Sequence, residues 1–343
     1  MSERTLCVIG LGLIGGSLLR SAQNAGWTVR GAAASEADVA AARHAGFTVT
    51  SSVDDALAEV SDDDALVVLA VPLPAVVEVL GVLARCAPRC RLTDVVSVKQ
   101  PVAAAVARLV PAARYVGGHP MAGRSASGWA AGSATLFRGA SWMLGCDDGA
   151  DPLVWAHIAQ LALDCGAHVV PAGAADHDAA VARVSHLPHV LAAVLASVGA
   201  DGGPLAMALG AGSFTDGTRV AASAPELVRA MCEGNREALL AAVDDALGRL
   251  GAARGSLAST GALEATIRAG HRARQAFEAA RAGAPANTGA PENTGHLELT
   301  SPGAFGRLRE LGRQGARVTA VHHTRCQLHL SSSMATPWQP VAP

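Results

Sequence analysis

The chain opens with a short apolar run at residues 6–9, then glycines at 10, 12 and 15, then an apolar stretch from 17 to 25 that stops at Gly26. A brief continuous apolar run bounded by turn residues predicts a buried strand, and the longer stretch behind the glycines predicts a helix. The alternation continues, with strands expected at 28–32, 47–50, 65–71 and 91–95 and helices at 35–45, 54–60, 74–85 and 99–110. Residues 115–116, 142–145 and 168–170, with a helix over 152–165, are expected to complete the same sheet. Strands alternating with helices predict a parallel, doubly wound α/β sheet of the Rossmann type.

Near residue 173 the pattern changes. From 174 to 281 there is no strand signal, only Ala-, Leu- and Val-rich helical stretches at 178–200, 225–232, 235–254 and 261–281. So much apolar surface on close-packing helices predicts an all-helical domain that buries part of it against a second copy, giving a homodimer. Residues 283–300, in which Asn-Thr-Gly occurs twice, read as a flexible linker. The expected organisation is therefore a dinucleotide-binding domain at 1–172, a helical substrate and dimerisation domain at 173–282, a linker at 283–300 and a short tail at 301–343. In the tail, a helix at 301–313 and a strand at 317–321 are expected, the last dozen residues read as disordered, and no role is assigned.

Composition narrows the class. A net charge of −2 over 343 residues, with no long basic run, argues against nucleic acid. No run approaches the 18 apolar residues of a membrane span, so no membrane partner is expected. The seven cysteines are scattered without a C-x-x-C pair, which suits free thiols and a cytoplasmic protein.

The glycines carry the first chemistry. In G-x-G-x-x-G, Gly10 makes the tight turn, Gly12 lets backbone approach a pyrophosphate, and Gly15 lets the helix pack close to the strand. With Leu13 and Ile14 they would place the pyrophosphate on the helix N-terminus. An NAD site usually has an acid at the end of the second strand, but here that position falls near Ala33. Ser35 could donate to a 2′-phosphate and Arg30 could reach it, so NAD and NADP both stay open.

Ligands of such sheets bind beyond the carboxyl ends of the strands, an edge reached by residues 10–15, 94–99 and 117–123. His119 ends a strand inside G-G-H-P-M-A-G, where an imidazole could take a proton at neutral pH or merely cap a turn. His186 and His189, three apart on a helix, could share a zinc ion, but hydride transfer to a dinucleotide with a histidine base needs none, so no metal is expected.

The ordered set G-L-G-L-I-G-G-S, D-V-V-S-V-K, G-H-P-M-A-G, S-H-L-P-H and F-T-D-G-T-R resembles the prephenate/arogenate (cyclohexadienyl) dehydrogenase family over residues 5–280. The resemblance implies oxidative decarboxylation of a small molecule, prephenate or arogenate, with hydride passing to NAD or NADP. It implies that His119 is the base, that Ser97 orients it, and that His186, His189 and Arg219 bind substrate. Lys99 and Arg124 are weaker candidates for a substrate carboxylate. Two alternatives stay in view. β-Hydroxyacid dehydrogenases and imine reductases share the architecture but use a lysine from the helical domain, and residues 174–281 contain none. A dinucleotide sensor would need neither His119 nor Arg219.

Overall fold

In a computed structural model that describes residues 4–58, 65–124, 126–282 and 294–330, the first third of the chain winds into a six-stranded sheet. Strands β1 (Thr5–Ile9), β2 (Thr28–Ala32), β3 (Thr48–Thr50), β4 (Ala65–Leu69), β5 (Arg91–Asp94) and β6 (Arg114–Val116) lie in the order β3-β2-β1-β4-β5-β6. All neighbours are parallel. Alternate residues of β1 feed two different cores: Leu6 and Val8 pack with Leu18, Leu19 and Trp155, whereas Cys7 and Ile9 pack with Leu80 and Leu83. Helices therefore cover both faces, and every residue of β4 is buried, as a continuous apolar strand requires. The winding reverses between β1 and β4, where such a sheet opens its ligand crevice.

The strands expected at 142–145 and 168–170 do form, but in a second sheet. The chain leaves β6 at Gly117 and re-enters as β7 (Gly118–Pro120), which pairs antiparallel with β8 (Ser141–Gly145), itself parallel to β9 (His168–Ala172). Glycine allows the crossing: a Cβ on Gly118 would stand 2.8 Å from the carbonyl oxygen of Asp94. The helix Pro152–Asp164 packs against elements of both sheets, burying Trp155, Ile158 and Leu161.

The C-terminal stretch completes this second sheet. Strands β10 (Thr294–Glu298), β11 (Arg317–His322) and β12 (Arg325–His329) extend it in the order β10-β12-β11-β9-β8-β7. The helix Ala304–Arg313 lies on β9 and buries Ala304, Leu308 and Leu311. Part of the expected linker is thus strand β10, and the tail is an integral layer. The rest of that linker, 283–293, and the final segment 331–343 lie outside the described residues.

Residues 174–201 form one helical run, Ala174–Val181, a π-helical turn Ala182–His186, and Leu187–Asp201. The wide turn directly precedes Pro188, which has no N–H for the carbonyl four residues back. By length and composition the 28-residue run could cross a membrane, its most apolar 18-residue window having a mean hydropathy of 1.4, but polar residues such as Arg183, His186 and His189 interrupt it and no 18 consecutive residues are all apolar. Its polar positions His177, Asp178 and His186 are buried at the base of the domain. Along the remainder, Val194 and Val198 are exposed, as are Leu205, Leu247, Leu250 and Ile267 on the helices that follow.

Candidate active site

The phosphate cradle matches the roles read from its glycines. Gly10 has φ of 104°, and a Cβ there would strike the carbonyl of Ala70 at the end of β4. A Cβ on Gly15 would strike the Gly10 carbonyl and stand 2.9 Å from the Ala70 Cβ. Gly12 faces open space. It caps the helix Leu13–Asn24, whose first turn carries no acidic residue. The free N–H groups and positive end of that helix, starting at Leu13 and Ile14, are thus left for an anion. A dinucleotide's pyrophosphate fits this cradle.

At the end of β2, Ala33 is buried and Ser35 is exposed. Ser35 caps the helix Glu36–His44 by accepting from Asp38 N, which leaves its hydroxyl proton available. Arg30 pairs in register with Cys7, on the sheet face opposite the helix Leu13–Asn24, and not at the carboxyl edge.

Behind His119 sits a buried polar cluster. Asp94, at the end of β5, accepts from Val96 N (2.8 Å) and Tyr115 OH (2.6 Å) and pairs with Lys99 Nζ. Lys99 Nζ also donates to the carbonyl of Gly118 at 2.7 Å, fixing the peptide just before His119. Lys99 and Tyr115 are the chain's sole lysine and sole tyrosine, and both meet on this carboxylate. Lys99 is therefore buried and committed, not free for a substrate carboxylate; Arg124 is exposed on the loop after β7.

The second cluster joins the two domains. His119 Nδ1 lies 2.9 Å from His177 Nε2, and His177 Nδ1 lies 2.8 Å from Asp178 Oδ1. The Asp178 carboxylate also accepts from the backbone N–H groups of Lys99 and Gln100, both at 2.8 Å, where the helix Gln100–Leu109 begins. Burial alone would raise the Asp178 carboxyl, but the bond from His177 and these two N–H groups outweigh it and hold the pKa below its usual value. Burial, followed by His177, Lys99 and His186, pushes His119 well below 6.5, so its ring is neutral.

His186 is fixed in a different way. Asn235 Nδ2 donates to the carbonyl of Asp178 at 2.7 Å and meets His186 Nδ1 at 3.1 Å. A carbonyl only accepts, so the Asn235 atom is the amide nitrogen and His186 Nδ1 must accept from it. The proton of His186 then sits on Nε2, a buried atom with no partner. Burial pushes this ring down to about 4, against the pull of Asp178, so it is neutral at pH 7. An unpaired buried donor costs about 1–3 kcal/mol, so this N–H is poised for an acceptor.

Of the residues expected to hold or orient substrate, His186 lies within this cluster. No hydrogen bond joins Ser97 to His119 among the described residues; His177 makes that bond instead. His189 Nδ1 donates to the carbonyl of Ser185 at 2.9 Å, leaving its Nε2 free. Arg219, at the start of the 3-10 turn Arg219–Ala222, is exposed and makes no bond to the cluster. Among the described residues no three His, Cys, Asp or Glu side chains converge as metal ligands.

Residues 16–171 match the sequence model of the prephenate dehydrogenase nucleotide-binding domain, and 173–262 match that of the prephenate dehydrogenase dimerization domain. The chain belongs to the prephenate dehydrogenase family. A cyclohexadienyl dehydrogenase of Zymomonas mobilis is 35% identical over 270 residues, covering 74% of this chain and 88% of the relative. A prephenate dehydrogenase of Bacillus subtilis is 31% identical over 249 residues, covering 70% of this chain and 67% of the relative. A crystal structure from Corynebacterium glutamicum, provisionally assigned as a prephenate dehydrogenase, is 41% identical with a TM-score of 0.84, covering 92% of this chain and 99% of that one.

For a member of the prephenate dehydrogenase family, sequence reasoning missed His177, Asp178, Asn235, Asp94 and Tyr115. The string Asp176-His177-Asp178, about two and a half helical turns before His186 and His189, reads in the sequence as no more than a further set of possible ligands for a zinc ion there. Its partner atoms are backbone N–H groups nearly 80 residues upstream, |i−j| = 79 for Lys99, and nothing local in the sequence points to them.

Proposed function

We propose that the protein is an NAD(P)-dependent dehydrogenase that oxidises and decarboxylates prephenate or arogenate in tyrosine biosynthesis. The observation that carries this reading is a pair of neutral, electrostatically coupled histidines, His119 on β7 of the second sheet and His186 on the helical run. His119 is neutral with Nε2 unbonded, and His186 offers a buried, unpartnered Nε2–H. His119 serves as general base for the ring hydroxyl, and the His186 N–H takes a substrate carboxylate oxygen.

A dinucleotide held by its pyrophosphate at residues 10–15 would supply the hydride acceptor, its nicotinamide. His119 removes the hydroxyl proton, so electron density moves toward the carbon that loses hydride. Loss of CO₂ then follows from aromatisation of the ring, and the protein's tasks are orientation and one proton. Lys99 and Asp94 hold the peptide that carries His119.

Substrate and cofactor are read from the same edge. Residues 30–35 contain no acid to repel a 2′-phosphate, and the Ser35 hydroxyl at a helix N-terminus suits one. The site accordingly accepts NADP as well as NAD. The exposed valines and leucines of the helical domain suit a homodimer, worth about 1.5–3 kcal/mol for each such side chain fully buried. We assign Arg219, whose planar fork suits a carboxylate, as a further substrate ligand, and His189 offers a free Nε2. The seven cysteines form no disulfide, which suits a reducing compartment such as the cytoplasm.

The test is a rate assay of prephenate and L-arogenate, each with NAD⁺ and with NADP⁺, following the reduced nicotinamide. Turnover in at least one combination is expected, with both cofactors used. Silence in all four by folded protein that binds a dinucleotide would reject the reading.

A further inference from the structure

His119 can act as a base only if its free nitrogen is bare, and a neutral imidazole carries its proton on either of two atoms. The cluster contains what is needed to choose. Lys99 N donates to Asp178 Oδ1 and Gln100 N to Oδ2, so the carboxylate enters the cluster purely as an acceptor. His177 Nδ1 must therefore hold a proton toward it. With His177 neutral, its Nε2 is bare and accepts from His119 Nδ1, and the only protonated nitrogen of His119 is then the bonded one.

We propose, resting on the base assignment above, that His177 and Asp178 are positioning residues that hold the His119 proton on Nδ1 and so keep Nε2 open to the substrate hydroxyl. The pair belongs to the helix Ala174–Val181, the first element of the helical domain, so that domain orders the proton of a base carried by the second sheet. When His119 takes the hydroxyl proton, its imidazolium faces a neutral imidazole backed by a carboxylate, which spreads and offsets the new charge. The arrangement also accounts for two buried polar side chains, His177 and Asp178, that the chemistry otherwise leaves idle.

The competing arrangement is a protonated His177 that donates to His119 Nδ1. It would force the His119 proton onto Nε2 and block the base. Nitrogen NMR of histidine-labelled protein, with the His119 signal assigned from His119→Asn, separates the two without substrate or cofactor. The expected result is a protonated Nδ1 and a bare Nε2. His177→Leu should then leave the tautomer mixed and lower kcat about 100-fold, the low end of what a positioned base contributes, with KM and dinucleotide affinity little changed. His177→Gln keeps an acceptor oxygen and should recover most of the rate. Should His177→Leu fail to fold, Asp178→Asn, which replaces one acceptor oxygen by a donor, carries the same expectation. A wild-type His119 protonated on Nε2, or a His177→Leu enzyme with wild-type kcat and an unchanged tautomer, would overturn the proposal. A wild type that turns over neither substrate would sink the proposed reaction, while the NMR result still decides the tautomer.

Discussion

In the cradle at residues 10–15, glycines and a helix N-terminus make a binding site from backbone alone, whereas the cluster around His119 is built from side chains that arrive from four separate stretches. The cradle's contacts, Gly10 against Ala70 and Gly15 against Gly10, are steric and follow from one short motif. The cluster's contacts join Asp94, Lys99 and Tyr115 to β7, and His177, Asp178 and Asn235 to one another across the domain boundary. A site of the first kind needs the right shape. A site of the second kind needs the right proton on each nitrogen, and shape is only a precondition.

Substitutions should separate the two kinds. The largest effect is expected from His119→Asn, which should lower kcat about 10²–10⁴-fold while dinucleotide affinity, measured by fluorescence titration, stays as it was. Near-normal turnover would remove His119 as the base. Lys99→Met leaves Asp94 buried without its cation, and should reduce unfolding free energy by about 3–5 kcal/mol in denaturant titration. A loss under 1 kcal/mol would show that the sole lysine is not a structural keystone.

Two alanine substitutions divide the cradle itself. Gly15→Ala puts a methyl group into the Gly10 carbonyl and should cost about 1–3 kcal/mol of stability. Gly12→Ala meets only open space, so it should fold normally and weaken dinucleotide binding alone. Equal melting temperatures for the two variants would contradict this division. The mildest change is expected from Arg219→Gln, raising KM about tenfold, as loss of a charged hydrogen bond near 1.5 kcal/mol implies. An unchanged KM would take Arg219 out of the site.

The same contrast explains what could be read from the sequence. Gly10, Gly12 and Gly15 state their roles in place, because a turn and a close approach are local demands. The buried run at 65–69 and the helices after residue 173 were equally plain, since apolar periodicity is local too. The second sheet was not. It depends on a crossing at Gly117 and Gly118 and on β11 pairing with β9 from nearly 150 residues away, Val318 with Val169. The tail's strands are short and half exposed, so β10 reads Thr-Gly-His-Leu-Glu without a strong pattern. His119 and His186 could be named by motif, but their opposite proton placements could not. Those come from Asp178 and Asn235, whose side chains look like any polar pair until the fold sets them beside Lys99 and the Asp178 carbonyl.

The neutral base at His119 is the account's central claim, and the pH dependence of kcat/KM tests it most directly, since that ratio reports groups of the free enzyme. The base works only while unprotonated. Burial, then His177, Lys99 and His186, hold its pKa well below 6.5, so activity is lost only as pH falls through that lowered value. The expected profile stays on its plateau as pH drops through 6.5 and falls only below it, and His119→Asn abolishes that fall. A limb at or above 6.5, or one that persists unchanged in His119→Asn, would contradict the account.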